Sequence, residues 1–108
     1  MNGLPQRGEV WWCDYPDKHR RPVTVLSRDA AISALHRAIV APCSTIDRNL
    51  ITEVRLEPEE DPIRRACVIQ LDATFNTSVA SLTSRIGRLS GTRMQQVCEA
   101  LTTAVDCR

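Results

Sequence analysis

Apolar and polar positions alternate with a period of two through several short stretches of this chain, and only its last part shows helical spacing. Over residues 7–15 the alternation sets Val10, Trp12 and Asp14 on one face and Glu9, Trp11, Cys13 and Tyr15 on the other. Adjacent tryptophans then point opposite ways, one into a core and one towards a partner surface or groove. Pro16, Asp17, Lys18 and His19 form a turn. A strand follows from Arg20 to Ser27, entered through Pro22, a residue suited to a strand's start but not its middle.

Asp29 is placed to cap a short helix over residues 30–35. Residues 38–42 read as a strand ending in the hydroxyl pair Ser44 and Thr45, and residues 46–51 as a polar loop. Residues 52–56 alternate as a strand, and 57–65, with two prolines and four acids, form a mobile loop. Residues 67–71 are an apolar strand that delivers Asp72, and 73–78 are irregular. One helical turn is expected over 79–82 and a last short strand over 84–89. Ser90 then caps a closing helix whose buried stripe is Met94, Val97, Cys98, Leu101 and Val105. Short, closely spaced strands and one amphipathic terminal helix predict a mainly β (α+β) domain spanning 1–108, a small partly closed barrel capped by that helix.

Composition narrows the chemistry. No apolar run approaches the roughly 18 residues of a membrane span, and the first residues lack a basic segment followed by an apolar one, so a cytoplasmic location is expected. Cys13, Cys43, Cys67, Cys98 and Cys107 are odd in number, scattered and without Cys-x-x-Cys spacing. That argues against a disulfide framework and against zinc, and they are expected to be reduced core residues. Net charge is only +1, yet the acids crowd into Glu57, Glu59, Glu60 and Asp61 while Arg20, Arg21, Arg28, Arg37 and Arg48 fall in the first half. A local positive patch is compatible with that distribution.

Arg21 lies at the mouth of the second strand, where a planar fork of donors suits a phosphate but where an ordinary surface arginine is also at home. His19 stands beside it, as the residue whose ordinary pKa is nearest neutrality or as a solvated bystander. Ser44 and Thr45 are either turn caps or donors to phosphate oxygens, and Asp72 is either a turn acid or a functional carboxylate.

Taken in order, Arg7-Gly8-Glu9-Val10-Trp11, Arg21-Pro22-Val23-Thr24-Val25-Leu26, Val40-Ala41-Pro42-Cys43-Ser44-Thr45, the strand ending in Asp72 and Arg85-Ile86-Gly87-Arg88-Leu89-Ser90 resemble the MazF/PemK/Kid toxins of bacterial toxin–antitoxin systems. The resemblance implies an SH3-like barrel with a C-terminal helix, a homodimer with single-stranded RNA along its groove, metal-independent RNA cleavage without a cofactor, and neutralisation by a cognate MazE-like antitoxin. It maps the family's catalytic arginine onto Arg21, its hydroxyl onto Ser44 or Thr45 and its strand-end acid onto Asp72. The loop between the first two strands is short and lacks the Gly-x-Glu-Gln of many members, and Gln70 stands where some have arginine.

The expected reaction is attack of the RNA's 2′-hydroxyl on the adjacent phosphorus, giving a 2′,3′-cyclic phosphate and a 5′-hydroxyl. Asp72 is the candidate base, Arg21 the phosphoryl clamp, and His19 or water the acid. Arg20 is a candidate RNA contact, and Gln70, Thr74 and Asn76 are candidate readers of unpaired bases. Two rival readings use the same barrel: a CcdB-like toxin that poisons DNA gyrase by binding alone, and a noncatalytic nucleic-acid binder.

Overall fold

The computed structural model describes residues 3–106. Seven strands, β1 (Glu9–Asp14), β2 (Arg20–Val25), β3 (Arg37–Ser44), β4 (Glu53–Leu56), β5 (Cys67–Gln70), β6 (Phe75–Ser78) and β7 (Leu82–Arg88), join two helices, α1 (Asp29–Leu35) and α2 (Gly91–Val105). The strands form one antiparallel sheet in the order β4-β5-β3-β2-β1-β7, with β6 paired to the first half of β3. β3 is long enough to serve two neighbours: Arg37 to Val40 pair with β6, and Cys43 and Ser44 pair with β5. The sheet thus curls into the partly closed barrel expected, with β4 and β7 left as its edges.

The curl divides the core in two. Val10, Ala41, Cys43, Val54, Leu56, Ile69 and Leu71 pack beneath α2 through Val97 and Ala100. Cys13, Val23, Val25, Val40 and Leu82 pack on the other face beneath Ile32 of α1, with Trp11, Tyr15 and Phe75 half-buried at the margin. Consecutive β3 residues, Val40 and Ala41, therefore feed different cores.

Several local expectations are corrected. Residues 75–78 form β6 rather than irregular chain, because the exposed flank of β3 supplies hydrogen-bond partners that no local propensity announces. The loop over 57–65 is tied down: Asp61, only 7% exposed, accepts from the Glu57 amide at 2.8 Å and from Arg93 of α2 at 2.9 and 3.1 Å. Arg28 occupies the N-cap of α1, while Asp29 turns back to accept from the Arg7 amide at 2.7 Å. Ser90 caps α2 as expected, accepting from the Arg93 amide at 3.1 Å.

The buried stripe of α2 runs through Met94, Val97, Ala100, Leu101 and Ala104. Cys98 is exposed because it stands about 100° around the helix from Val97, and Val105 is exposed at the helix end. Cys13 and Cys43 are buried as expected and Cys67 is half-buried, whereas Cys107 lies outside the described residues. Neither tryptophan is fully buried. Shifts in the β1–β7 register on either side of the pair bend the strand, so both rings lie along its margins instead of dividing between core and solvent.

Candidate RNA-binding cleft

The β1–β2 hairpin positions the first group of side chains. Tyr15 and His19 close its turn through a 2.9 Å amide-to-carbonyl bond, and Lys18 takes the left-handed conformation at φ 68°. Asp17 folds back over that turn. Its Oδ1 accepts from the His19 amide at 2.9 Å, its carboxylate accepts from both terminal nitrogens of Arg21 at 3.0 and 3.4 Å, and its Oδ2 lies 3.3 Å from His19 Nδ1. Arg21 beside it holds the Asp17 carboxyl well below the usual carboxylate range, with the His19 amide adding to the effect. Sequence reading assigned Asp17 only a turn role, and in the structure it sets the orientation of both His19 and Arg21.

Strand alternation sends Arg20 and Arg21 to opposite faces. The Arg21 guanidinium lies 4.5 Å from the Tyr15 ring centroid, and Tyr15 meets Phe75 edge to face at 5.6 Å. Arg20 lies 4.8 Å from the centroid of Trp12. Each arginine rests on an aromatic face, which limits its rotamers, and Arg21 in addition has both terminal nitrogens turned to Asp17.

Ser44 ends β3. The β2–β3 ladder reaches Val23↔Pro42, and two residues further along both strands stand Arg21 and Ser44, on the same face. Ser44 Oγ accepts from the Ile46 amide at 3.0 Å. Thr45 turns to the other face and lines a cleft of about 860 Å³ with Trp12, Arg20, Arg64, Arg65 and Arg85. Four arginines and an indole make this a groove for a polyanion with bases to stack. Arg64, Arg65 and Arg85 were not among the candidates legible in the sequence, which places them in separate segments; only the pinned loop and β7 bring them together at the cleft.

The remaining candidates are dispersed. Asp72 is exposed in a 3₁₀ turn after β5, where it accepts from Thr52 Oγ1; among the described residues it forms no ion pair, and Arg21 is paired with Asp17 instead. Gln70 lies opposite Glu53 at the end of β5, and Thr74 caps the 3₁₀ turn. Asn76, opposite Ile39 on β6, is engaged by the Arg37 side chain through its Oδ1. The contact between Phe75 and Tyr15 is what links this segment to the Arg21 hairpin. Among the described residues no cluster of histidine, cysteine or carboxylate side chains could hold a metal ion.

Fold and side chains together define a small curled β protein with an arginine-lined groove on one face and, on the other face at the ends of β2 and β3, an arginine held by a carboxylate opposite a hydroxyl. The chain belongs to the PemK-like, MazF-like toxins of type II toxin–antitoxin systems, matching that family over residues 6–105. It is 56% identical over 107 residues to the probable endoribonuclease MazF5 of Mycobacterium tuberculosis, covering 99% of this chain and 98% of that protein. A second relative from that organism, the probable endoribonuclease MazF2, is 29% identical over 94% of this chain and 99% of its own. Among solved structures, the Mycobacterium tuberculosis toxin MazF-mt6 superposes with a TM-score of 0.83 at 29% identity, covering 93% of this chain and 98% of that one. A mycobacterial endoribonuclease in complex with its cognate antitoxin has the same fold, with a TM-score of 0.86 at 23% identity over 96% and 97% of the two chains.

Proposed function

We propose that this protein is an endoribonuclease toxin that cleaves single-stranded RNA by attack of the substrate's own 2′-hydroxyl. The observation that carries the reading is Arg21, opposite Ser44 and oriented by Asp17, at the end of β2 beside Arg20, which turns to the other face into a cleft lined by three further arginines. The names of its close relatives agree with it.

In this reading Arg21 binds the non-bridging phosphoryl oxygens, where a fixed cation contributes on the order of several kcal/mol as charge builds on the phosphorus. Ser44 donates to a phosphate oxygen, and Thr45 with Arg20 holds the adjoining backbone. His19, oriented through Nδ1 by Asp17, presents its other nitrogen to the leaving 5′-oxygen and supplies its proton. Within the hairpin the Asp17 carboxylate is engaged by Arg21 and is not available as base for the 2′-hydroxyl. That role goes to Asp72, whose exposed carboxylate lies three residues before Phe75 and so is tethered to the hairpin through Tyr15. Gln70 and Thr74, on the same segment, are assigned to base edges, and Asn76 reads a base only after release from Arg37.

The acting unit is a homodimer, supported by the exposed Leu35 and Ile39, 65% and 47% accessible, on α1 and the adjoining strand. An antitoxin with an acidic segment that orders on binding is the expected inhibitor, since carboxylates mimic phosphates in an arginine groove. No helix among the described residues is long and apolar enough to cross a membrane, and the site of action is the cytoplasm, where RNA is found.

The test is cleavage of a short unstructured RNA by the purified protein in the presence of a chelator. A 2′,3′-cyclic phosphate end and complete resistance of a substrate carrying one 2′-deoxy sugar at the scissile position are expected. Cutting of the deoxy substrate, or loss of activity on chelation, overturns the mechanism. Absence of any cleavage favours the gyrase-binding or noncatalytic alternatives.

A further inference from the structure

The cleft wall contains a chemistry that phosphodiester cleavage does not use. Cys43 of β3 and Cys67 at the start of β5 both line it. The β3–β5 register pairs Cys43 with Ile69, so Cys67, two residues along, is a diagonal neighbour on the same face. The two thiols therefore face the same cleft wall from neighbouring strands, near enough to influence each other's ionisation. Thr24 Oγ1, 3.7 Å from Cys43 Sγ, holds the buried partner in place.

The two thiols are unequal in a way that suits sequential chemistry. Cys43 is buried, and its thiol is pushed up by the neighbouring Cys67 and by loss of solvent. Cys67 is half-exposed, and its neighbour Cys43 lowers it, against burial and the carboxylates of Asp61 and Glu57. The cleft's guanidinium groups, including Arg64 and Arg65 just before it in the chain, add a field that favours a thiolate. Such a pair has an accessible nucleophile with a resolving thiol immediately behind it.

We propose that Cys43 and Cys67 form an oxidisable dithiol, a modification site for peroxides in the wall of the cleft. The Cys67 thiolate attacks one oxygen of hydrogen peroxide, the O–O bond breaks, and protonation of the departing hydroxide gives water and a Cys67 sulfenic acid. The Cys43 sulfur then attacks Cys67, forming the S–S bond and expelling hydroxide, which leaves as water with the Cys43 proton. The dithiol loses two electrons and two protons, and the peroxide becomes two waters. The product staples β3 to β5 beside Ser44 and Thr45. This site stands whether or not the protein cleaves RNA.

The experiment is peptide mapping of the full chain at low protein concentration after titration with hydrogen peroxide. A Cys43–Cys67 linked peptide lighter by two hydrogens and restored by dithiothreitol is expected. In Cys43→Ala, a sulfenic acid at Cys67 should be trapped by dimedone, and limited alkylation of the reduced wild-type protein should label Cys67 at least about tenfold faster than Cys43. The wild-type map does not depend on how well the variant folds. Thiols left unlinked at peroxide levels that oxidise exposed Cys98, or a bridge joining other cysteines, overturns the proposal.

Discussion

Arg21 and Asp17 are ion-paired across the β1–β2 turn, with Nη2 of the arginine 3.0 Å from Oδ2 of the aspartate. Four residues apart, they are joined because the turn reverses the chain between them. The pair spends donors of the guanidinium on an internal anion, so an incoming phosphate must either share the fork or displace the carboxylate. Asp17 is thus both the orienting residue of the hairpin and a competitor of the substrate.

Replacing Asp17 with asparagine keeps the turn's hydrogen bond to His19 and removes the competing charge. RNA binding should tighten several-fold while single-turnover cleavage slows about tenfold, because Arg21 and His19 lose their common reference. Parallel measurements of affinity and rate check this split. A fall in both would make Asp17 a simple structural residue.

Replacing Arg21 with lysine keeps the charge and removes the planar fork. Cleavage should fall by roughly a hundredfold or more with folding retained and binding weakened far less. A wild-type rate for this variant would remove Arg21 from the reaction.

Arg64 and Arg65 are exposed at the cleft and form no ion pair among the described residues. If each neutralises one RNA phosphate, changing either to alanine should reduce the steepness of log affinity against log salt by about 0.7, the single-strand value per contact. Titrations at several salt concentrations read that slope directly. An unchanged slope places the RNA elsewhere.

Gly87 of β7 is where the loop carrying those arginines touches the sheet: a Cβ there would lie 2.3 Å from Pro62 Cβ. Gly87→Ala must push the loop outward and strain the Asp61–Arg93 bonds behind it. A stability loss of about 1–3 kcal/mol is expected by chemical denaturation, together with weaker RNA binding. Full retention of both would mean the loop yields without cost.

Glu9 predicts the acid limit of the fold. Its carboxylate is 5% exposed; burial alone would raise its pKa, but bonds from Trp11 at 2.9 Å, from Arg85 at 2.7 Å and from the Gln6 amide at 2.8 Å bring it below the usual value of 4.5. With the folded value depressed, the stabilisation is complete above the unfolded value and is lost as pH falls through the folded one. Stability should therefore decline below about pH 4.5, and Glu9→Gln should flatten that decline while costing about 1–3 kcal/mol at neutral pH. Thermal unfolding of both proteins across pH 3–7 tests the linkage.

Much of the architecture was legible in the chain itself, because period-two alternation and Ser90 before an amphipathic run are local signals with local causes; Pro22 is the exception, standing third in β2 opposite Trp12 instead of at the strand's entrance. Arg21, Ser44 and Thr45 were legible for the same reason: each stands at the end of a strand whose alternation could be read. What the sequence alone could not decide depended on curvature and pairing. β6 exists because β3 offers it an open flank, and the two tryptophans share the strand margins because register shifts bend β1. Asp17 acquires its role only when the hairpin closes on Arg21, and Arg64, Arg65 and Arg85 become one groove only when Asp61 is anchored by Arg93 and Gly87 admits Pro62. Such contacts join residues far apart in sequence and are set by the curl of the sheet, a property of the assembled hydrogen-bond ladder that no single segment encodes.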